Sequence, residues 1–124
     1  MEPRFRIKLY VEDIEKSLSF YEHIIGLKLY RRSEQFGRFN HDCFSLLIGL
    51  RSSLDETHYF NRHGKGNGLE IIIAVSSLEE VYKRCVANKY SIETEIEDYS
   101  WGMSGFNIID PDGYFLRITS ETIV

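Results

Sequence analysis

The chain is poor in the residues that define disulfide-linked, zinc-binding and membrane proteins. Its only two cysteines, Cys43 and Cys85, form no C-x-x-C pair and have no histidine-rich neighbourhood. A disulfide framework or a zinc knuckle is therefore not expected, and both cysteines are predicted to pack as small buried hydrophobic side chains. No stretch has the apolar length of a signal sequence or a membrane span. We therefore expect a cytoplasmic protein with no membrane partner.

Positive charge is also scarce. The 15 Lys and Arg residues stand against 19 Asp and Glu, which gives a net charge of −4 at pH 7. No basic run has the density that nucleic acids require, so a nucleic-acid partner is not expected. With 124 residues, 43% of them hydrophobic, the chain is long enough for one well-packed domain and too short for two independent ones.

One strand-and-helix pattern occurs twice. In FRIKLYVEDIEKSLSFYEHIIG, apolar residues alternate up to Val11, and Asp13 then caps a helix that Gly26 ends. In LEIIIAVSSLEEVYKRCVANKY, Ser76 or Ser77 caps the second helix. Equivalent residues are separated by a constant 64 positions: Ile7 and Ile71, Leu9 and Ile73, Val11 and Val75, Ile14 and Leu78. This spacing predicts an internal repeat of about half the chain.

The alternation assigns the two faces of the strands. The residues predicted to lie beneath the helices are Phe5, Ile7, Leu9 and Val11, and in the second copy Leu69, Ile71, Ile73 and Val75. The residues predicted on the opposite face are Arg6, Lys8 and Tyr10, then Glu70, Ile72 and Ala74, and Phe115, Arg117 and Thr119 near the end. The apolar side of the second helix is predicted to carry Leu78, Val81, Cys85 and Val86.

Each helix is followed by three strand-like segments that turns separate. The last turn, DPDG, has the proline, aspartate and glycine of a tight chain reversal. The pattern is βαβββ over about residues 4–50 and again over 68–120, joined by the loop 51–67. This long polar loop is either a mobile linker or a loop folded over a binding site. Phe39, Tyr59 and Phe60 suit a lid, but the loop composition favours a plain surface linker.

The doubled layout, together with VEDIEKSLSFYEHIIGLKLY and WGMSGFNIIDPDGYFLRI, resembles the vicinal oxygen chelate superfamily. That superfamily includes glyoxalase I, fosfomycin-resistance enzymes, extradiol dioxygenases and bleomycin-binding proteins. The resemblance runs from about Phe5 to Thr119. It implies an α+β fold in which two βαβββ modules form one domain with a curved, cup-shaped mixed sheet and helices on the outer face. It also implies a homodimer, because relatives of this length usually pair and exposed sheet edges favour pairing.

The resemblance implies four inward strand positions that carry His or Glu in metal-dependent members. In this sequence they fall on Arg6, Glu70 and Arg117, with the fourth near Leu47. An arginine is never deprotonated at accessible pH, so it cannot donate a lone pair and repels a cation. No metal cofactor is therefore predicted. The histidines show no metal-ligand spacing and are interpreted as surface or loop residues; they are His23, His41, His58 and His63.

Two sets of residues are candidates for ligand binding. If Arg6, Glu70 and Arg117 converge, they form either a cationic floor for a carboxylate, phosphate or enolate-like group, to which Lys8 adds, or a structural ion triad that fixes how the modules pack. Both interpretations stay open. The second set is aromatic and lies in EDYSWGMSGF: Tyr99, Trp101 and Met103. Trp101 suits a stacking surface and a core or dimer interface equally, whereas Phe106 is predicted to be core.

These features predict a small-molecule binding protein of glyoxalase or bleomycin-resistance type that lacks the usual metal and takes an anionic or aromatic ligand. Catalysis has little support, because no nucleophile motif or phosphate loop is present and two arginines would lower the pKa of Glu70. The alternative is a metal-dependent glyoxalase-like lyase, isomerase or dioxygenase with a relocated metal. It requires His41, His58 or His63 to approach Glu70.

Overall fold

Each half of the chain forms a four-stranded mixed sheet with a helix packed on one face. The computed structural model describes residues 4–41, 44–62 and 68–121. It divides the chain into two compact units, Met1–Gly64 and Lys65–Val124. Within the described ranges, no helix is both long and apolar enough to cross a membrane.

The first unit follows the predicted βαβββ order. Its elements are β1 (Phe5–Val11), α1 (Ile14–Ser19), a π-helical segment (Phe20–Ile25), β2 (Leu29–Ser33), β3 (Phe36–His41), β4 (Phe44–Leu50), a 3₁₀ turn (Arg51–Ser53) and α2 (Tyr59–Arg62). The strand order is β1-β4-β3-β2, with β1 parallel to β4 and the other neighbours antiparallel. The helix α1 packs on β3 and β4.

The second unit repeats this topology. Its elements are β5 (Ile71–Val75), α3 (Leu78–Ala87), β6 (Ile92–Asp98), β7 (Ser104–Ile109) and β8 (Phe115–Ser120). The strand order is β5-β8-β7-β6, and β5 runs parallel to β8. The helices α1 and α3 begin 64 residues apart, as the internal repeat predicts. The α+β class and the two βαβββ modules are thus confirmed.

The helix boundaries follow from capping chemistry. Asp13 accepts a hydrogen bond from the Lys16 backbone N–H at 3.1 Å, and Ser77 accepts one from the Glu80 N–H at 3.4 Å. Gly26 ends the first helix in the left-handed conformation, at φ 95°. The sequence predicted one continuous helix up to this glycine, but from Phe20 onward it is π-helical. Two adjacent pairs lie on the buried face of this segment: Phe20 with Tyr21, and Ile24 with Ile25.

The core of the first unit differs from the prediction at two aromatic residues. Phe5 was predicted to lie under the helix but is 74% exposed, because the buried positions of β1 are in its C-terminal half, at Leu9 and Val11. Phe39 was a candidate lid residue, yet it is buried, with its ring centroid 6.1 Å from that of Tyr21. It therefore packs beneath the helix instead of closing over the opposite face.

The core of the second unit lies between α3 and the central strands. The buried residues are Ile71, Leu78, Val81, Cys85, Phe106, Ile108, Leu116 and Ile118. The predictions for Cys85 and Phe106 are confirmed, while Cys43 lies outside the described residues. The predictions for Leu69 and Val86 are wrong, since both are exposed. Leu69 precedes β5, and Val86 lies in the last turn of α3.

The predicted DPDG turn joins β7 to β8. The buried Asp110 carboxylate accepts hydrogen bonds from the N–H groups of Asp112 and Tyr114, each at 2.8 Å. Gly113 has φ 97°, a conformation that a side chain disfavours. The turn thereby returns β8 beside β7 and sets which of its residues face the helix.

Candidate functional site

An ion pair lies at the centre of the candidate site in the second unit. Arg117 of β8 pairs in register with Ile72 of β5 and Asn107 of β7. Its Nε lies 2.7 Å from Oε1 of Glu70, and its Nη2 donates a longer hydrogen bond to Oε2 at 3.5 Å. The Nε–H is not aligned with Oε1, so the shorter approach is a charge contact and not a hydrogen bond. Glu70 therefore neutralises Arg117 from the neighbouring strand end.

Aromatic rings extend this pair. The guanidinium carbon of Arg117 lies 5.3 Å from the centroid of the Tyr99 ring. The Tyr99 and Trp101 rings are stacked, with centroids 4.8 Å apart and planes 14° apart. Trp101 is 61% exposed, so the interpretation of this residue as core is wrong. The second unit thus carries an exposed aromatic surface in contact with an arginine.

A tight loop sets the position of these rings. The Tyr99 N–H donates to the Met103 carbonyl at 2.7 Å, and the Gly102 N–H donates to the Tyr99 carbonyl at 3.2 Å. Gly102 has φ 92°, which places the sharp turn at a residue without a side chain. Met103 is half-buried and contributes its backbone carbonyl to this loop. The three predicted aromatic-set residues are therefore brought together by one turn between β6 and β7.

Polar atoms beneath this surface lack partners. Tyr99 Oη, Asn107 Oδ1 and Thr119 Oγ1 are buried, and none has a hydrogen-bond partner among the described residues. Asn107 lies directly across from Arg117, and Thr119 lies across from Gly105. Buried polar atoms are normally hydrogen-bonded, so this face has unused capacity for water or for polar groups of a ligand.

Arg6 and Lys8 lie on β1 in the first unit, both exposed. Their register partners on β4 are Ser45 and Leu47. The Lys8 ammonium lies 4.9 Å from the centroid of the Tyr10 ring and 5.6 Å from that of Phe36. The convergence of Arg6 with Glu70 and Arg117 stays a prediction.

Two residues of β3 that the sequence analysis missed lie on the same face of the sheet as Arg6 and Lys8. Arg38 donates from Nε to Asn40 Oδ1 at 2.7 Å, and Ser45 donates from its hydroxyl to the same oxygen at 2.9 Å. The alternation in FGRFNH, which places Phe36, Arg38 and Asn40 on one side, was the available signal. Their importance depends on β4 lying between β3 and β1, which only the pairing shows.

The described part of the joining loop, residues 51–62, is folded onto the first unit. Arg51 donates from Nη2 to the Phe60 carbonyl at 2.9 Å and from Nε to Asn61 Oδ1 at 3.1 Å, and its Nη1 lies 3.3 Å from Glu12 Oε1. The Phe60 ring lies 5.5 Å from the Tyr10 ring, centroid to centroid. This segment fits the folded-loop alternative better than the surface linker. Residues 63–67 lie outside the described residues.

Comparisons with known proteins agree with this geometry. The family model described as Glyoxalase/Bleomycin resistance protein/Dioxygenase superfamily matches residues 5–118. The chain belongs to this superfamily. The resemblance drawn from the sequence motifs is thereby confirmed. A search of curated proteins finds no match to the chain.

Several solved structures share the fold. A glyoxalase-related enzyme from Fulvimarina pelagi aligns with a TM-score of 0.79 at 20% identity, over 98% of this chain and 89% of that one. Lactoylglutathione lyase from Agrobacterium tumefaciens aligns at 0.68 and 19% identity, over 97% and 94%. TioX from Micromonospora sp. ML1 aligns at 0.71 and 15% identity, over 98% and 100%. At such identities these likenesses show the shared fold alone.

The residues onto which the resemblance places the superfamily's metal positions have a donor set that does not suit a cation. Glu70 is the one carboxylate among them, and its oxygens face the guanidinium of Arg117. Across the described ranges, no three His, Cys, Asp or Glu side chains lie close enough to hold an ion together. His23 lies beside Glu22, with 3.2 Å between Nε2 and Oε1, and His58 packs against Phe60. The His41 side chain and His63 lie outside the described residues.

Proposed function

We propose that the protein binds a flat aromatic small molecule in the second unit, without a metal. The observation that carries the proposal is the stack of Tyr99 and Trp101 beside Arg117, with Trp101 left 61% exposed. A tryptophan that is held flat by a second ring and remains open to solvent is a platform on which a further ring stacks. Arg117 then adds a guanidinium, already paired with Glu70, beside the Tyr99 ring.

The unpartnered polar atoms give the platform a second recognition element. Tyr99 Oη offers a donor, while Asn107 Oδ1 accepts and Thr119 Oγ1 does either. A ligand whose ring stacks on Trp101 and whose polar groups reach this face would satisfy atoms that are otherwise buried without partners. The proposed ligand is therefore an aromatic compound that carries hydrogen-bonding substituents.

The chemistry of Glu70 and Arg117 supports binding over metal-dependent catalysis. The pair is internally neutral, and Arg117 has no lone pair for a metal. The carboxylate of Glu70 is engaged by a permanent cation, with 2.7 Å between its Oε1 and Arg117 Nε. A binding protein needs neither a metal ligand nor a base at these positions, whereas a lyase or dioxygenase of the metal-dependent type needs both the ion and its ligands.

Nuclear magnetic resonance of the single tryptophan tests the binding. The chain has one Trp, so the indole N–H cross-peak reports on Trp101 alone. Quinoline, 2-naphthoate and N-methylquinolinium present the same ring system as a neutral, an anionic and a cationic probe. We expect saturable shifts of the indole peak with at least one probe and loss of binding in Tyr99→Leu, but not in the exposed-tyrosine control Tyr59→Leu. Equal binding in both variants, or no shift with any probe, would refute the platform.

Metal analysis tests the metal-free part of the proposal. The wild-type protein is purified with Zn²⁺, Ni²⁺, Mn²⁺ and Fe²⁺ supplied in turn, and its metal content is measured beside that of Glu70→Gln. We expect no stoichiometric metal in either protein. Stoichiometric metal that Glu70→Gln loses would favour the metal-dependent lyase, isomerase or dioxygenase instead.

A homodimer in the cytoplasm completes the proposal. β5 is an edge strand of its sheet, and Ile72 on this strand is 59% exposed. Apolar side chains on an open sheet edge favour pairing with a second chain. Sedimentation equilibrium measures the mass directly, and a mass of one chain at micromolar concentration would remove the dimer from the proposal.

A further inference from the structure

We infer that the first unit carries a separate oxyanion site on β2 and β3, formed by Arg31, Arg38 and Asn40, which binds the carboxylate or phosphate of a small organic anion. This site uses another sheet and other residues than the aromatic platform at Trp101. The inference therefore rests on other observations than the proposed function does.

The first step of the inference is the cross-strand pairing of two like-charged residues. Arg31 and Arg38 are directly opposite each other in the antiparallel pair of β2 and β3. Side chains in such positions have Cβ atoms about 4.5–5.5 Å apart, and like charges there repel each other. Among the described residues, no carboxylate lies within ion-pair distance of either arginine. An anion between them would replace this repulsion with attraction on both sides.

The second step is the fixed orientation of Arg38. Its Nε is tied to Asn40 Oδ1 at 2.7 Å, and its guanidinium carbon lies 5.6 Å from the centroid of the Tyr30 ring. Both contacts leave the two Nη groups without an acceptor among the described residues. A guanidinium held in this way presents a preformed fork to two oxygens of one carboxylate or phosphate.

Asn40 supplies the third donor. Its Oδ1 accepts from both Arg38 and Ser45, which fixes the amide so that Nδ2 is the free end. The amide is half-buried, and therefore loses little mobility when a ligand binds. Because Oδ1 of Asn40 already accepts two hydrogen bonds and Nδ2 can still donate, the side chain favours an anion over a cation.

The cations of β1 extend the same face. On β4, Ser45 pairs in register with Arg6 on one side and with Asn40 of β3 on the other. Leu47 pairs in the same way with Lys8 and Arg38. Lys8 lies between the Tyr10 and Phe36 rings, at 4.9 and 5.6 Å from their centroids. The face thus combines positive charge with aromatic rings, so we expect an anion with an aromatic body to bind more tightly than inorganic phosphate.

Titration with defined anions tests the site. Inorganic phosphate, phenyl phosphate and benzoate are added to the labelled protein, with benzyltrimethylammonium as the probe of opposite charge. We expect saturable shifts at Arg38 and Asn40 with phenyl phosphate or benzoate, weaker shifts with inorganic phosphate, and none with the cation. The comparison of phenyl phosphate with benzoate shows whether the site prefers phosphate or carboxylate.

Substitutions separate a built site from general attraction to positive charge. Arg38→Gln should weaken binding about tenfold or more, because it removes a charge-assisted hydrogen-bond donor. Arg32→Gln is the matched control: it removes the same charge from β2, the strand that carries Arg31, but Arg32 pairs with Glu15 through two hydrogen bonds. This control should bind within about twofold of the wild type, since Glu15 engages the Arg32 side chain and successive side chains of a strand point to opposite faces of the sheet.

The variant Asn40→Asp tests whether a loss of ligand binding could be caused by loss of the fold. The aspartate has the size of asparagine and gives Arg38 an internal carboxylate that competes with the ligand, so binding should fall while the backbone spectrum stays dispersed. The inference is overturned by equal losses in Arg38→Gln and Arg32→Gln, by unchanged affinity in Asn40→Asp, or by wild-type dissociation constants weaker than about 10 mM.

Discussion

Gly105 determines whether Tyr99 can lie across β7, and Gly105→Ala is therefore the most informative single substitution. A Cβ atom at this position would lie 2.8 Å from the Ile118 carbonyl oxygen and 2.8 and 2.9 Å from Oη and Cε2 of Tyr99. Real Cβ atoms do not approach other atoms this closely. The carbonyl belongs to β8, the paired strand, so it cannot move away without disturbing the pairing of β7 with β8.

The expected cost follows from these contacts. Adding a methyl group to a well-packed region costs about 1–3 kcal/mol. Here both a backbone atom and a ring must shift, so we expect a loss of about 2–3 kcal/mol in the free energy of unfolding. For a domain of this size, that loss lowers Tm by roughly 6–15 °C. Thermal unfolding followed by circular dichroism measures it, and the Trp101 fluorescence reports the displacement of Tyr99.

A double-mutant cycle identifies the cause. In Tyr99→Leu the ring atoms near Gly105 are gone, and the Ile118 oxygen remains as the one close contact of the three. Gly105→Ala should therefore cost about 1 kcal/mol less in the Tyr99→Leu background than in the wild type. Gly49→Ala is a matched control, because its three nearest contacts are side-chain atoms, Lys8 Cε at 2.8 Å and the Tyr10 ring at 3.0 and 3.2 Å, and none is a backbone atom. Additive effects of the two substitutions, or a Gly105→Ala cost below about 0.5 kcal/mol, would refute the reasoning.

Three further predictions concern the scaffold. Asp110→Ala leaves the N–H groups of Asp112 and Tyr114 without their 2.8 Å acceptor and should lower the free energy of unfolding in urea by about 1–3 kcal/mol. Asp13→Ala removes the cap of α1 and should cost about 1 kcal/mol in the same assay, whereas a loss equal to zero would exclude the cap. Burial raises the pKa of Cys85 from 9.0 to about 11. At pH 8, iodoacetamide should therefore label Cys85 about 100-fold more slowly in the folded protein than in urea. Mass spectrometry of the peptide that contains Cys85 measures both rates, and equal rates would contradict the prediction.

Local chemistry made the modules predictable. The caps at Asp13 and Ser77 and the left-handed Gly26 are decided by residues within one turn of the helix ends, and the 64-residue repeat places α1 and α3 correctly. The π-helical segment was not predictable, because apolar residues at helical spacing fit α and π turns alike until the neighbouring strands are known. The exposure of Phe5 was not predictable either. Alternation indicates which face of the sheet a residue lies on, but not how much of that face the helix covers.

The candidate site divides in a similar way. The resemblance named Glu70 and Arg117 together, as part of a conditional triad with Arg6, and the structure pairs these two. The stack of Tyr99 on Trp101 depends on the loop closed by the Tyr99 N–H and the Met103 carbonyl, which residue types alone do not specify. Arg38 was missed because its proposed role depends on its hydrogen bond to Asn40 and on its cross-strand pairing with Arg31. No sequence interval encodes that pairing.

The two units handle positive charge differently, and this difference makes their proposed ligands separable by salt. In the second unit Glu70 already neutralises Arg117, so stacking on Trp101 depends on contact between rings and little on ionic strength. In the first unit Arg31 and Arg38 face each other on exposed or half-buried strands without a carboxylate partner in the described residues. Their attraction for an anion acts through solvent, where the Debye length falls from about 10 Å at 0.1 M salt to about 3 Å at 1 M. Raising the salt should therefore abolish binding of phenyl phosphate at Arg38 while it leaves quinoline at Trp101 bound. Parallel loss of both ligands would refute the conclusion that ring contact, and not charge, holds quinoline at Trp101.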